Sequence, residues 1–395
     1  MENPQNKFKH IQINPDEASH QEIKNEIKRL EQLAAEKGNE EQAIKIFINS
    51  IYGASASPYF VCYNTKIAEA ITLQGQDLNK YAMKILNNYF QNFWYKDKAL
   101  HKQLGITYAK KCSIDVVVYG DTDSVYVSFE HVLASCDWKG DGTEFILKLY
   151  EIRIKGYINK CFDKYAEKFN TKNVQCLELE KISASAIILA KKKYVTDDVW
   201  KDPGVYFKPL EKITSKGVEI VQSSTPAFAR KHLKNLLKLL FKEKKNLDVN
   251  SFIGKLKELK EQFKLSEVED ISKSTSISDY PKYIIEDNDI LKIAPKCPIH
   301  IRAGGSYNFT LNNSKWKRKY TLIKTKDKVR WYYSKGNAAD SVFAYQPGNF
   351  PYEFAPEVNY DLQFSKAIIE PINRFLIAMG FGAIPSNLIT SKKLF

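Results

Sequence analysis

The sequence has no apolar run approaching the ~20 residues that cross a bilayer, which excludes a helical membrane span. Its amino terminus, Met1-Glu2-Asn3-Pro4-Gln5, lacks the apolar core of a secretory signal. Cysteines are few and scattered, at 62, 112, 136, 161, 176 and 297, without a CxxC pair. That spacing disfavours a zinc site or a disulfide frame and predicts free thiols in a reducing cytoplasm. No internal repeat is present, which sets aside solenoids and arrays. What remains is a chain of 395 residues, 44% hydrophobic and 27% charged, enough for two or three packed domains. Its 60 Lys and Arg against 46 Asp and Glu give a formal charge of +14. A polyanionic partner fits that excess, with 23 Tyr and 22 Phe available for stacking; a lysine-rich solvated surface fits it equally.

Hydrophobic spacing organises the chain. Ile23, Ile27, Leu30 and Ala34 share one helical face, so residues 20–37 are expected to be helical. Gly38-Asn39 is then expected to stop that helix, with a second helix over Glu40–Tyr52 folding back as an antiparallel hairpin closed by Pro58. A third helix is expected over about 68–94. Val116-Val117-Val118-Tyr119 and Val125-Tyr126-Val127 flank turn residues Gly120 to Asp123, which predicts a β-hairpin with carboxylates at its tip. Residues 143–169 are expected to be helical, and 177–190 and 193–199 to be strands. Basic residues from Arg230 to Lys245 interleave with leucines as an amphipathic helix. The Ser- and Asp-rich stretch near 266–280 is expected to be a loop, and 362–379 a final helix. The fold class expected is α+β: a helical hairpin, an antiparallel sheet backed by helices, and a mostly helical carboxy-terminal part.

Two constellations carry chemistry. Phosphoryl transfer to a growing chain uses two divalent cations about 4 Å apart, held by converging carboxylates on rigid elements. Asp121 and Asp123 in Gly120-Asp121-Thr122-Asp123-Ser124 can face one such pair, with Gly120 expected to allow a tight turn. Taken alone, this turn also fits an exposed DxD hairpin or a sugar-nucleotide DxD turn. The second constellation is Lys45-Ile46-Phe47-Ile48-Asn49-Ser50-Ile51-Tyr52-Gly53. Lys45 and Asn49 are one helical turn apart, Tyr52 follows on or near the same face, and Gly53 leaves room for a base or sugar.

Together, Lys-x-x-x-Asn-Ser-x-Tyr-Gly followed by Tyr-Gly-Asp-Thr-Asp-Ser resembles motifs B and C of family B DNA polymerases. Leu177 to Ile182 and Lys191-Lys192-Lys193-Tyr194 resemble the next palm strand and a KxY-type motif. Lys216 to Glu219, with Ser223 to Pro226, resembles the palm-to-thumb junction. Lys296 to Arg302 is similar to a thumb segment of T-even-like tailed-phage polymerases. The resemblance implies fingers over 1–57, palm over 58–225 and thumb over 226–395. It implies Asp121 and Asp123 as metal-binding catalytic carboxylates for Mg²⁺ (or Mn²⁺), with Thr122 and Glu180 as lesser partners. Lys45, Asn49, Tyr52 and Gly53 would meet the incoming dNTP. Lys191, Lys192, Lys193 and Tyr194, with Gly217 and Arg302, would face primer-template DNA. Location would be cytoplasmic, in the host cell if the gene belongs to a phage.

The chain departs from the family pattern in one respect. No DxxSLYP-like motif A and no exonuclease carboxylate series occurs. The expectation is therefore a carboxy-terminal subunit of a split polymerase, inactive alone, whose partner polypeptide supplies motif A, the exonuclease and the first fingers helix. The alternative is a non-catalytic, primer-template-binding remnant. Leu394-Phe395 could form a short sliding-clamp peptide, or be a frayed end.

Overall fold

The computed structural model describes residues 10–14, 16–287, 290–336 and 341–390. The fold is α+β. In chain order, helices α1 (His20–Ser55), α2 (Thr65–Asn88) and α3 (Lys98–Leu104) precede the strands β1 (Val117–Asp121) and β2 (Ser124–Val127). Helices α4 (Glu130–Ala134), α5 (Gly142–Leu149) and α6 (Lys155–Glu167) lead to β3 (Lys181–Ala190), β4 (Lys193–Lys201), β5 (Val205–Tyr206) and β6 (Lys212–Lys216). Then come α7 (Ala227–Glu243), α8 (Val249–Lys264), α9 (Val268–Ile271), β7 (Lys273–Ser276), α10 (Tyr280–Tyr283), β8 (Ile284–Asp287) and β9 (Ile290–Ile293). The remainder holds α11 (Ile299–Asn312), β10 (Lys328–Tyr333), β11 (Val342–Tyr345), α12 (Tyr360–Phe364), α13 (Glu370–Ala378) and α14 (Asn387–Thr390). Two compact units result: residues through Lys98 with Tyr108–Cys136, and Ala99–Thr107 with everything from Asp137.

The first unit is built on α1 and α2. A capping box starts α1: the Ser19 hydroxyl accepts from the Glu22 amide at 3.3 Å, and the Glu22 carboxylate accepts from the Ser19 amide at 2.8 Å. Contrary to the expected stop, α1 runs straight through Gly38-Asn39 as one helix of 36 residues. The reason is energetic. A glycine inside a helix costs only about 1 kcal/mol, and the flanking Ala, Glu, Lys and Gln residues are strong helix formers. Lys37 and Glu40 also pair at 2.8 Å across the glycine. The expected hairpin inside 20–52 is therefore absent, and the chain reverses only after Ser55. A Cβ on Gly38 would meet nothing within 4 Å. Gly38→Ala should thus stabilise α1 by about 0.5–1 kcal/mol, read as slower amide exchange along the helix. Unchanged or faster exchange would show that Gly38 serves some other need.

Asn64 caps α2, its side chain accepting from the amides of Lys66 and Ile67 at 3.0 and 3.2 Å. The buried face of α2 follows helical spacing through Ala82, Ile85 and Leu86, and continues past a π-helical turn at Tyr89–Phe93 to Trp94. Phe90 meets Phe129 edge-on at 5.7 Å, and the Trp94 indole donates to the Ser135 hydroxyl at 3.1 Å.

In the second unit, β4 is the centre of a sheet ordered β3-β4-β5, with β6 also on β4. Tyr194 to Asp198 are buried consecutively, so both faces of β4 are covered. One apolar core joins this sheet, through Ile187, Val195, Val218 and Ile220, to α7, α8, α11 and α13. The expected amphipathic helix is present as α7: Leu233, Leu236, Leu237 and Leu240 are buried while Arg230, Lys231, Lys234 and Lys242 are exposed. The stretch near 266–280 is not simply a loop. It holds α9 and β7, and β7 forms the edge of a three-stranded sheet ordered β11-β10-β7. Lys-Ser-Thr-Ser makes a strand there because β10, Lys-Val-Arg-Trp-Tyr-Tyr, supplies the apolar partner, and an edge strand tolerates polar side chains. The expected strand over 177–190 is shorter than anticipated: β3 begins at Lys181, and residues 177–180 precede it. The six cysteines are free thiols. No helix among the described residues is long and apolar enough to cross a membrane.

Candidate active-site turn and nucleic-acid interface

The carboxylate turn is held by α2. Strand β1 runs antiparallel to that helix, tied to it at both ends. Asn87 accepts from the amides of Val116 and Val117 at 2.9 and 3.0 Å. Two helical turns earlier, the Asn79 side chain donates to the Thr122 carbonyl at 2.9 Å. Between them, at Gly120, a Cβ would lie 3.1 Å from Met83 Sδ and 3.2 Å from Asn79 Oδ1. Asn79, Met83 and Asn87 follow i, i+4, i+8 spacing, so one helix face, about 12 Å long, fixes the whole strand. This corrects the role expected of Gly120. Its φ is not in the left-handed region, and the missing side chain admits α2 instead of enabling a turn.

The tight position is Thr122, a β-branched residue at φ +52°. Across it the Asp123 amide donates to the Asp121 carbonyl at 2.6 Å, a three-residue turn of the γ kind. The Ser124 hydroxyl also donates to the Asp121 carbonyl, at 3.1 Å, and the Thr122 hydroxyl to the Asp121 carboxylate, at 3.2 Å. β-Branched residues rarely occupy this region, and such strain persists where surrounding bonds over-determine it. Asp121 is buried and Asp123 is exposed. Their oxygen donors suit Mg²⁺, which binds through one or two carboxylates completed by substrate phosphates. Among the described residues no group of three His, Cys, Asp or Glu gathers to hold a metal. The pair fits a cation as part of a donor set, not as the whole of one.

On α1, Lys45, Asn49, Tyr52 and Gly53 fall within about 100° of arc, and all four are exposed. A Cβ on Gly53 would meet nothing within 4 Å, so open space lies in front of it. A second stripe of the same helix, Ile44, Phe47, Ile48 and Ile51, is 56–67% exposed at i, i+3, i+4, i+7 spacing. Apolar side chains exposed in such a continuous row mark an interaction surface.

In the second unit, Lys191, Lys192 and Lys193 are exposed at the β3–β4 turn. Tyr194 behaves differently. Its ring is buried, with the ammonium groups of Lys181 and Lys216 each 6.0 Å from its centroid. Lys181 also pairs with Asp198 at 3.3 Å. Burial pushes the Asp198 carboxyl up, but hydrogen bonds from Ser183, Thr214 and Thr196 and the Lys181 charge outweigh it, leaving the group below its ordinary value. The Asp198 carboxylate is therefore held in its charged form beside Lys181. Gly217 follows β6 at φ +67°, and Arg302 is half-buried in the first turn of α11. Glu180 is exposed just before β3, and its backbone carbonyl accepts from the Asp202 amide at 2.9 Å. Leu394-Phe395 lies outside the described residues.

The structure thus gathers Asp121, Thr122 and Asp123 at one turn, the four α1 residues on one face, and the three lysines at another turn. Asn79 and Asn87 escaped the sequence reading. Two poor helix formers eight residues apart on one face were their only signal.

The pattern of DNA polymerase family B matches residues 18–137 and 140–379. The chain belongs to that family. It is 27% identical over 285 residues to the DNA-directed DNA polymerase of Escherichia phage RB69, a match that covers 67% of this chain and 28% of that protein. It is 24% identical over 277 residues to the corresponding polymerase of Enterobacteria phage T4, with the same coverage. The DNA polymerase catalytic subunit of Human herpesvirus 7 (strain JI) is 26% identical over 204 residues, half of this chain. The family B match therefore takes in both constellations, while the chain spans 28% of the length of the phage relatives.

Proposed function

We propose that this chain supplies one part of a DNA polymerase active site, adding dNTPs to a primer 3′ end, and that it works as the carboxy-terminal subunit of a split enzyme. The observation that carries this reading is the strained Asp121-Thr122-Asp123 turn, locked to α2 by Asn79, within a chain of family B. In the reaction the primer 3′ oxygen bonds to the α-phosphorus, the bond to the bridging oxygen breaks, and pyrophosphate leaves. Asp121 and Asp123 would hold Mg²⁺, which supplies charge stabilisation and orientation when bound. Lys45 meets the triphosphate as a point charge, Asn49 hydrogen-bonds it, and Tyr52 with Gly53 borders the nascent base pair. Fingers (1–57), palm (58–225) and thumb (226–395) describe the division of labour.

The partner polypeptide supplies motif A and the exonuclease. What supports a covering segment is the exposed row of Ile44, Phe47, Ile48 and Ile51, an apolar stripe suited to a helix laid over it. The chain with its partner, Mg²⁺ and four dNTPs should extend a primer. Lys45→Ala should raise the apparent KM for dNTP about tenfold or more, as expected for a lost hydrogen bond between a charged side chain and phosphate. An unchanged KM would remove Lys45 from triphosphate binding. DNA binding without any extension would favour the non-catalytic reading.

A further inference from the structure

The β3–β4 turn exposes three successive lysines, and its backbone shape is unusual. Ala190 pairs with Lys193, leaving Lys191 and Lys192 as the turn, and Lys192 sits at φ +62°. Lysine adopts that left-handed conformation uncommonly. The neighbouring strand supplies the reason it holds. Lys216 pairs with Tyr194, which brings Gly217 against the turn. A Cβ on Gly217 would lie 2.0 Å from the Lys192 carbonyl oxygen, 3.1 Å from its carbon and 3.3 Å from Lys193 Cγ. Gly217 is itself at φ +67°, so a side chain there is excluded both by the backbone angle and by the collision. Beyond it, Val218 and Ile220 are buried in the core that holds α7, whose Arg230, Lys231 and Lys234 line a groove with Ser215 of β6.

Resting on the DNA-binding part of the function above, we propose that Gly217 is a positioning residue for the lysine turn. By letting the end of β6 close onto the Lys192 carbonyl, it fixes the turn that presents Lys191, Lys192 and Lys193 to nucleic-acid phosphates. It acts through the Lys192 backbone.

The salt dependence of binding tests this, because its slope counts phosphate contacts at ~0.9 per contact on duplex DNA. A labelled primer-template duplex is titrated with the full chain at several salt concentrations, followed by fluorescence anisotropy. Replacing Lys191, Lys192 and Lys193 together by alanine should lower the slope by about 2–3. Gly217→Ala should lower it by about 2 although it removes no charge. Because Gly217→Ala risks unfolding the sheet, a second comparison decides: Lys192→Asn against Lys192→Val. Each removes one charge, but asparagine accepts the left-handed backbone and valine does not. The asparagine variant should lose about 0.9 of slope and the valine variant about 2 or more. Equal slopes for that pair, or a folded Gly217→Ala with the wild-type slope, overturn the role of Gly217 while leaving DNA binding in place. A wild-type chain that does not bind the duplex overturns the DNA reading, and this inference with it.

Discussion

Replacing Asp123 by alanine should lower primer extension by the assembled enzyme about 10²- to 10³-fold while leaving primer-template affinity nearly unchanged. The size follows from the charge that a cation site stabilises in the transition state. Loss of a carboxylate ligand there is worth several kcal/mol, and each 1.36 kcal/mol is a factor of ten in rate. The selectivity follows from the fold. Asp123 contributes its amide to the turn, donating to the Asp121 carbonyl at 2.6 Å, and that bond survives in alanine. Its side chain is exposed, so no core is disturbed. Single-turnover extension and duplex anisotropy on the same preparation separate the two effects. Equal extension by the variant would remove Asp123 from metal binding.

Gly120→Leu should be nearly as damaging, about 10²-fold in extension, whereas Gly120→Ala should be close to wild type. If Gly120 were needed for a left-handed turn, alanine would already be costly. Here its φ is ordinary, and a Cβ meets chiefly the flexible end of Met83 at 3.1 Å, which can give. Leucine cannot be accommodated against Asn79 and Met83 without pushing β1 away from α2. Overpacking of that kind costs about 1–3 kcal/mol and moves the turn, and a shift of roughly 1 Å in reacting groups costs about 10² in rate. Primer extension combined with thermal unfolding distinguishes misplacement from collapse. Alanine and leucine with equal activity would show that the approach of α2 does not matter.

These two variants also show what could be read in advance. The position of Asp121 and Asp123 at a hairpin turn, and the shared helix face of Lys45, Asn49, Tyr52 and Gly53, were legible because turn residues and helical spacing are local patterns. The reason for Gly120 was not, because it depends on Met83 and Asn79, about forty residues earlier in the chain. Gly38 misled because a punctuating residue was weighed without the helix formers on both sides of it. Strand β7 was hidden because an edge strand takes its apolar character from its neighbour β10. Tyr194 could be placed in a strand, but its burial between Lys181 and Lys216 required knowing that β6 pairs with β4. Gly217 likewise looks like an ordinary turn glycine until the Lys192 carbonyl is seen against it.

The most direct test of the central claim is single-nucleotide primer extension with Mg²⁺ by this chain alone, by the proposed motif A-bearing polypeptide alone, and by the two together. Extension is predicted only for the pair, and it should disappear when Asp123→Ala replaces the wild-type chain. Extension by this chain alone would contradict the split site, and a pair that binds primer-template but adds no nucleotide would contradict its role in DNA synthesis.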